Sequence, residues 1–243
     1  MRLIKPYVEQ ISPVINGVEF LKRIEQAGRV CYKSEERITD TSAFIFVEKL
    51  IKRGHDAMIE HAENISMKFV CDRGVSHEIV RHRLFSFAQE STRYCNYSDN
   101  HVTYIIPCWM SEHIKPKVYT EYEAVPYQDE NDWLKLMWDI ERLYKEFCMI
   151  GWQPQQARSI LPNSLKTEII VTGNLREWRH FFKLRTARDA HPQMREVANM
   201  ALNILKPQIP IVFDDISNVN YNKLSLKEEL AVWERIQGRY EEV

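Results

Sequence analysis

Apolar positions recur along this chain with two periods. Val18, Leu21 and Ile24 are three apart, which predicts a helix that stops near Gly28. Asp40-Thr41-Ser42 offers capping side chains to a second helix, in which Phe44, Val47, Leu50 and Ile51 line one face and Gly54 ends the run. Ile65, Met67, Phe69 and Cys71 then alternate with Ser66, Lys68 and Val70, the period of a strand. Val75, Ile79 and His82 share a helical face, so the basic triplet at 81–83 falls at a helix end. The FSFAQESTRY that follows reads as a loop or irregular strand.

Residues 102–106 predict a short strand stopped by Pro107, and 109–130 have no period and predict a long connection. The clearest helix spans 131–150. Trp133, Leu136, Met137, Ile140, Leu143, Tyr144 and Phe147 form its stripe, and Gly151 with Pro154 ends it. PQQARSILP supplies one or two helical turns, with Pro154 at the first position. Residues 168–172 are β-branched and predict a strand. Asn174 and Glu177 make a capping-box-like start for a helix carrying Leu175, Trp178, Phe181, Phe182 and Leu184. Pro192 opens a further helix with Met194, Val197, Ala198, Ala201 and Leu205, closed by Pro207. Ser225 and Glu228 open a last one with Leu226, Leu230, Trp233 and Ile236. No repeat, low-complexity linker or boundary interrupts the pattern. The expectation is a single α+β domain over 1–243, a mixed or antiparallel sheet flanked by helices.

Composition narrows the class. Hydrophobic residues at 44% and aromatics at 11% describe a globular protein that buries a sizeable core. The net charge of −1 argues against a surface that grips nucleic acid everywhere. The charge is uneven, however: 158–206 is net +5 and 119–147 net −5. Five cysteines without a CxxC pair argue against a disulfide framework or zinc ribbon and predict a reducing cytoplasm. MRLIKPYVEQ lacks the apolar core of a signal peptide, and no apolar run has membrane-spanning length.

The chemistry concentrates in RHRLFSFAQESTRY, 81–94. Cationic side chains beside Phe85, Phe87 and Ala88 suit an anion held against apolar packing, because forked guanidinium donors match phosphate or carboxylate oxygens. Ser91 adds a hydroxyl but has no neighbouring base, so it reads as a ligand and not a covalent nucleophile. In GHDAMIEH, His55 and His61 are six apart, not the four that puts two histidines on one helical face, so no metal site is expected. Arg176, Arg179, His180 and Lys183 fall on one side of their helix, where Arg179 and Lys183 read as a solvated face. Arg185 falls beside Trp178, Phe181 and Phe182, drawn inward and in need of an anion, either a carboxylate or a ligand.

Arg81, His82, Arg83, Ser91 and Arg93 form RHR-x7-S-x-R, and this pattern resembles the signature of the flavin-dependent thymidylate synthases. His55, Glu60 and His61 resemble that family's GHE-xxx-EH segment, with Asp56 in place of the usual Glu and Ala57 where Ser or Thr is common. The likeness runs from about 28 to about 210. It implies reductive methylation of dUMP to dTMP, with 5,10-methylenetetrahydrofolate as carbon donor and NADPH as reductant through FAD. It implies substrate contacts from Arg81, Gln89, Glu90, Ser91, Arg93, Arg158 and Arg185. FAD contacts follow for His82, Arg83, Glu60, Asn174, Arg176, His180, Leu184 and His191. Catalytic roles fall to Arg185 and His55, and a homotetramer with sites at subunit interfaces is implied. Two other classes stand beside it. A nucleic-acid-binding module would use the RHR and 176–188 cations for phosphates and the aromatics for stacking. A metal-dependent hydrolase would use His55, His61, His77 and His82.

Overall fold

The computed structural model describes residues 1–110 and 113–217. Seven helices occur among them: α1 (Gly17–Val30), α2 (Ser42–Lys52), α3 (Arg73–Ile79), α4 (Gln128–Met149), α5 (Pro154–Ala157), α6 (Leu175–Arg185) and α7 (Pro192–Leu205). The strands are β1 (Arg2–Ile4), β2 (Tyr7–Gln10), β3 (Ile65–Asp72), β4 (Ser86–Gln89), β5 (Thr103–Ile105), β6 (Lys117–Val118) and β7 (Lys166–Gly173). This is the expected α+β class with helices flanking the sheets. The helix predicted from Ser225 lies outside the described residues.

One sheet has the order β5-β1-β6 and the other β2-β3-β7-β4. The first is mixed: Leu3 pairs with Tyr104 in parallel and with Lys117 antiparallel. The N-terminal decapeptide thus contributes two strands that hydrophobic period did not predict. A strand of three or four residues is too short to show a period of two, and its pairing partners lie far along the chain.

Two compact units make up the described residues. The first contains 1–7, 68–81 and 87–170, and the second 8–67, 82–86 and the described residues from Val171 onward. The chain passes between them five times. Units assembled from interleaved segments need no linker, so composition carries no mark of them.

In the first unit, Leu3, Val102, Tyr104, Leu134, Met137, Tyr144 and Leu165 form one buried cluster. The face of α4 that buries is Leu134, Met137, Glu141 and Tyr144, with Trp133, Ile140 and Phe147 partly covered. Leu136 is exposed instead, so the packed stripe is rotated from the predicted one. Glu141 occupies that face because cations surround it. The Met1 α-amino group lies 2.9 Å away and Lys145 Nζ 2.7 Å, with His101 Nδ1 at 3.2 Å. Burial opposes its charge, but these hydrogen bonds outweigh burial and hold its carboxyl below the usual range.

In the second unit, Trp178, Phe181, Phe182 and Phe213 pack ring against ring beside Val197, Ala198 and Ala201 of α7. Trp178 donates its indole N–H to the Ile65 carbonyl at 3.2 Å, which satisfies the one polar atom of a fully buried ring. Gly54 ends the α2 segment with φ of 69°, the left-handed conformation glycine adopts freely. Gly173 ends β7 where a Cβ would overlap the Phe85 ring.

Arg179 corrects the sequence reading of a solvated face. It is 1% exposed and makes paired hydrogen bonds to Asp215 at 2.8 and 2.9 Å, with a further bond to the Val212 carbonyl. The helical wheel places it among cations, but its partner comes from thirty-six residues downstream. Lys183 is exposed, as predicted for that face. No helix among the described residues is long and apolar enough to cross a membrane.

Candidate active site

In the second unit, α6 carries several of the residues singled out from the sequence. Asn174 caps the helix by accepting from the Glu177 backbone N–H at 2.9 Å, the arrangement its capping sequence predicts. The 3.6-residue period then gives two rows. Arg176, His180 and Leu184, spaced by four, are all exposed. Glu177, Phe181 and half-buried Arg185 turn inward.

Beside the inward row stands His82. Its ring is 5% exposed, with its centroid 5.0 Å from that of Phe181 and 6.2 Å from that of Phe85. Arg185 Nε donates to His82 Nε2 at 3.0 Å. Glu177 Oε1 lies 3.5 Å from His82 Nδ1. Burial, then the Arg185 charge, then His180, push the His82 pKa down to about 4, so the ring is neutral at ordinary pH. Burial raises Glu177.

Ligand atoms of His82, Glu177 and His180 lie within 4.8 Å of one another, the spacing of a metal site. The hydrogen bonding argues otherwise. A guanidinium is a donor only, so Nε2 must be the unprotonated nitrogen, and the single ring proton of neutral His82 sits on Nδ1. That proton blocks the nitrogen which would otherwise meet an ion beside Glu177, and Arg185 already supplies the positive charge.

A cavity of about 990 Å³ in the same unit is lined by Arg29, Tyr32, Arg37, Phe46, Arg53, His55, Asp56, Ala57 and Arg176 among others. Its volume is at the upper end of the range typical of ligand sites, roughly 300–1,000 Å³. His55 is exposed and precedes a 3₁₀ turn at Asp56–His61. Glu60, at the far end of that turn, receives Arg176 at 2.5 Å. Asp56 Oδ1 is buried without a hydrogen-bond partner. The structure thus brings His55, Glu60 and Arg176 to one region. Arg29, Arg37 and Arg53 were not singled out from the sequence. Their signal is the run of cations that flanks Tyr32 and follows Leu50, beside the glycines that end the two helices.

The first unit holds another group. Gln89 on β4 donates to Ser76 Oγ at 2.8 Å and to Thr167 Oγ1 at 3.2 Å. The Glu90 carboxylate accepts from Tyr97 Oη at 2.8 Å and from Lys166 Nζ at 3.0 Å. Burial, then the Glu90 bond, push the Tyr97 hydroxyl up. Burial works against the Lys166 charge, yet bonds to Glu168 and Glu90 raise its pKa overall. Ser91 begins a turn: its carbonyl accepts from Tyr94 and Cys95, and its hydroxyl accepts from the Arg93 N–H at 3.3 Å. Arg158 donates to buried Thr92 at 3.3 Å. Ser91, Arg93 and Arg158 are therefore gathered around Thr92, with both guanidinium groups exposed. Thr92, Tyr97 and Lys166 hold this group together and went unnoticed in the sequence, because each matters only through a partner distant in the chain.

Arg81, Arg83 and His191 complete the residues singled out from the sequence. Arg81 is exposed just past α3, and Arg83 is exposed in the second unit. His191 is half-buried and precedes Pro192, where its carbonyl accepts from the Arg195 N–H.

Comparison with known proteins bears on this arrangement. The family described as "Thymidylate synthase complementing protein" matches residues 14–211. A flavin-dependent thymidylate synthase of Corynebacterium aurimucosum is 34% identical over 198 residues, 79% of this chain and 78% of that one. One of Pyrococcus furiosus is 38% identical over 168 residues, 68% and 64% of the two chains. Among solved structures, a UMP/dUMP methylase of Streptomyces cacaoi bound with 5-Br dUMP superposes with a TM-score of 0.69 at 20% identity, covering 90% of this chain and 99% of that one. A flavin-dependent thymidylate synthase of Helicobacter pylori complexed with FAD and dUMP gives 0.63 at 19%, covering 88% and 99%. These two share the fold. The family match over most of the length and the curated relatives above 30% identity agree, and the chain belongs to the flavin-dependent thymidylate synthase family.

Proposed function

We propose that this chain catalyses reductive methylation of dUMP at C5 to give dTMP, with methylenetetrahydrofolate as carbon donor and NADPH as reductant. The observation that carries the reading is Arg185, a half-buried guanidinium fixed at its Nε end by neutral His82. As C5 of uracil becomes nucleophilic, negative charge builds on the ring carbonyls. A guanidinium held in place beforehand stabilises that charge as an oxyanion hole does.

The residues present fit FAD. The cavity of about 990 Å³ offers Tyr32 and Phe46 for stacking, four arginines for a pyrophosphate, and the unpartnered Asp56 Oδ1 as an acceptor. His82, Arg83, Glu60, Asn174, Arg176, His180, Leu184 and His191 are the residues we assign to it. Bound there, FAD would supply hydride transfer, while the protein supplies position and electrostatics. We assign Arg81, Gln89, Glu90, Ser91, Arg93 and Arg158 to the dUMP nucleotide, Arg185 to its ring, and His55 to catalysis beside the flavin. The exposed guanidinium groups of Arg93 and Arg158 suit the phosphate. We assign the chain to the cytoplasm, acting as one functional domain in a homotetramer.

The test is a visible spectrum after FAD is added and the excess removed by gel filtration. Flavin bands near one per chain that change on adding dUMP support the reading. A colourless protein that dUMP does not help to retain FAD would overturn it. In the turnover assay, Arg185→Ala should lose about 10²–10³ in kcat.

A further inference from the structure

Arg185 cannot orient itself. A long side chain at a helix C-terminus samples several rotamers unless something holds its head group, and fixing it by packing and hydrogen bonds is what makes its charge useful in a transition state. The contacts around His82 supply that hold.

Arg185 Nε donates to His82 Nε2 at 3.0 Å, which forces the proton of the neutral ring onto Nδ1. Glu177 Oε1 lies 3.5 Å from that nitrogen and is the acceptor facing it. Glu177 itself is 4% exposed, one turn from the Asn174 cap that anchors the helix start. The imidazole is walled by Phe85 and Phe181. Without a carboxylate at Nδ1, the ring could place its proton on Nε2 and present a donor to a donor. With the carboxylate, only one tautomer is favourable, and it is the one that receives Arg185.

We propose that Glu177 is a positioning residue, acting through the tautomer of His82 to fix the guanidinium of Arg185 toward its substrate. The proposal rests on the reading of Arg185 as the uracil-facing arginine. It gives His82, assigned above among the FAD residues, a second task inside the protein. It also explains why a carboxylate is buried on α6 beside aromatic rings, where burial disfavours its charge.

The experiment has two arms on the purified full chain. In the first, long-range proton–nitrogen NMR correlations on 15N-histidine protein report the tautomer of His82, assigned by its disappearance in His82→Gln. Near pH 7 the wild type should show a neutral ring protonated at Nδ1, and Glu177→Leu should shift the population toward protonation at Nε2. An Nε2-protonated ring in the wild type would overturn the proposal.

The second arm measures dUMP- and folate-dependent turnover in FAD-saturated enzyme. Glu177→Leu and His82→Leu should each lower kcat by about 10–100-fold, by analogy with the loss on removing a group that orients a metal-ligating side chain. The KM for dUMP should stay within about threefold. His82→Gln places a carbonyl near the Nε2 position and should recover about tenfold of what His82→Leu loses. On an Arg185→Ala background, Glu177→Leu should cost nothing further, because it acts only through that arginine. Independent, multiplying losses would overturn the proposal. Should Glu177→Leu fail to fold, the wild-type tautomer and the His82→Leu and His82→Gln pair decide the question. Wild-type protein without turnover would sink the assigned reaction, and the NMR arm would still judge the arrangement of Glu177, His82 and Arg185 by itself.

Discussion

His82 shows how one residue's surroundings set its behaviour. An ordinary histidine titrates near 6.5, whereas burial and Arg185 bring this one to about 4. Between those values the unfolded chain binds more protons than the folded one. Stability therefore rises with pH across that window and is lost as pH falls from about 6.5 toward 4. The ionisable groups facing the ring are Glu177, His180 and Arg185, and Glu177, raised by burial, offsets part of the loss in its own range. Urea unfolding should show the wild type losing on the order of 1–2 kcal/mol more than His82→Gln between pH 7 and pH 5. Equal losses would mean the ring is not held neutral. Asp215 adds a second acid-sensitive contact. The Arg179 hydrogen bonds, against the cost of burial, keep its carboxyl below the usual range, so its stabilisation is present above the ordinary Asp pKa and lost as pH falls through the lowered one. Asp215→Ala leaves a buried guanidinium short of its partner. The expected cost is about 1.5–3 kcal/mol in the same assay, discounted from a fully buried pair because Asp215 is itself part-exposed.

At the scale of elements, α6 carries two jobs on two rows, and its start can be separated from its contacts. Asn174 is both the helix cap and an assigned FAD residue. Asn174→Ala should lower stability by about 0.5–2 kcal/mol with or without flavin. Asn174→Asp keeps an acceptor at the cap and should hold the thermal midpoint near wild type while changing FAD retention. A fall in midpoint for both variants would deny the cap its role. At the end of β7, Gly173→Ala drives a methyl into the Phe85 ring and should cost about 1–3 kcal/mol, read as a lower urea midpoint. These elements were legible in the sequence because their signals are local: a cap three residues from its partner, an alternation over eight residues, a proline at a first turn. The short strands β1 and β6 were not, because pairing across a hundred residues leaves no periodic trace. The turn of α4 toward Leu134 was missed for a related reason. Which side of an apolar stripe packs depends on where the covering residues come from.

For the whole molecule, FAD binding should appear as stabilisation by linkage. At a hundred times its Kd, a ligand bound only by the folded state adds about 2.7 kcal/mol, so the thermal midpoint should climb with FAD concentration. Arg176→Ala, which removes a cavity cation paired with Glu60, should shift that dependence to higher FAD. An unchanged midpoint in saturating FAD would mean that the folded chain does not bind it, and an Arg176→Ala dependence identical to wild type would place the flavin elsewhere.

The sequence by itself determined the family, the helices up to Leu205, the longer strands and the inward turn of Arg185. Those depend on residue types at fixed short spacings, which survive without knowledge of the fold. Only the tertiary structure decided that Arg179 is buried against Asp215, that Tyr97 and Lys166 hold Glu90 while Thr92 receives Arg158, and that His82 stands between Glu177 and Arg185. Each of those depends on residues dozens of positions apart meeting within a few ångströms. Periodicity reports which way a side chain points, but the identity of its partner is set by how the elements pack.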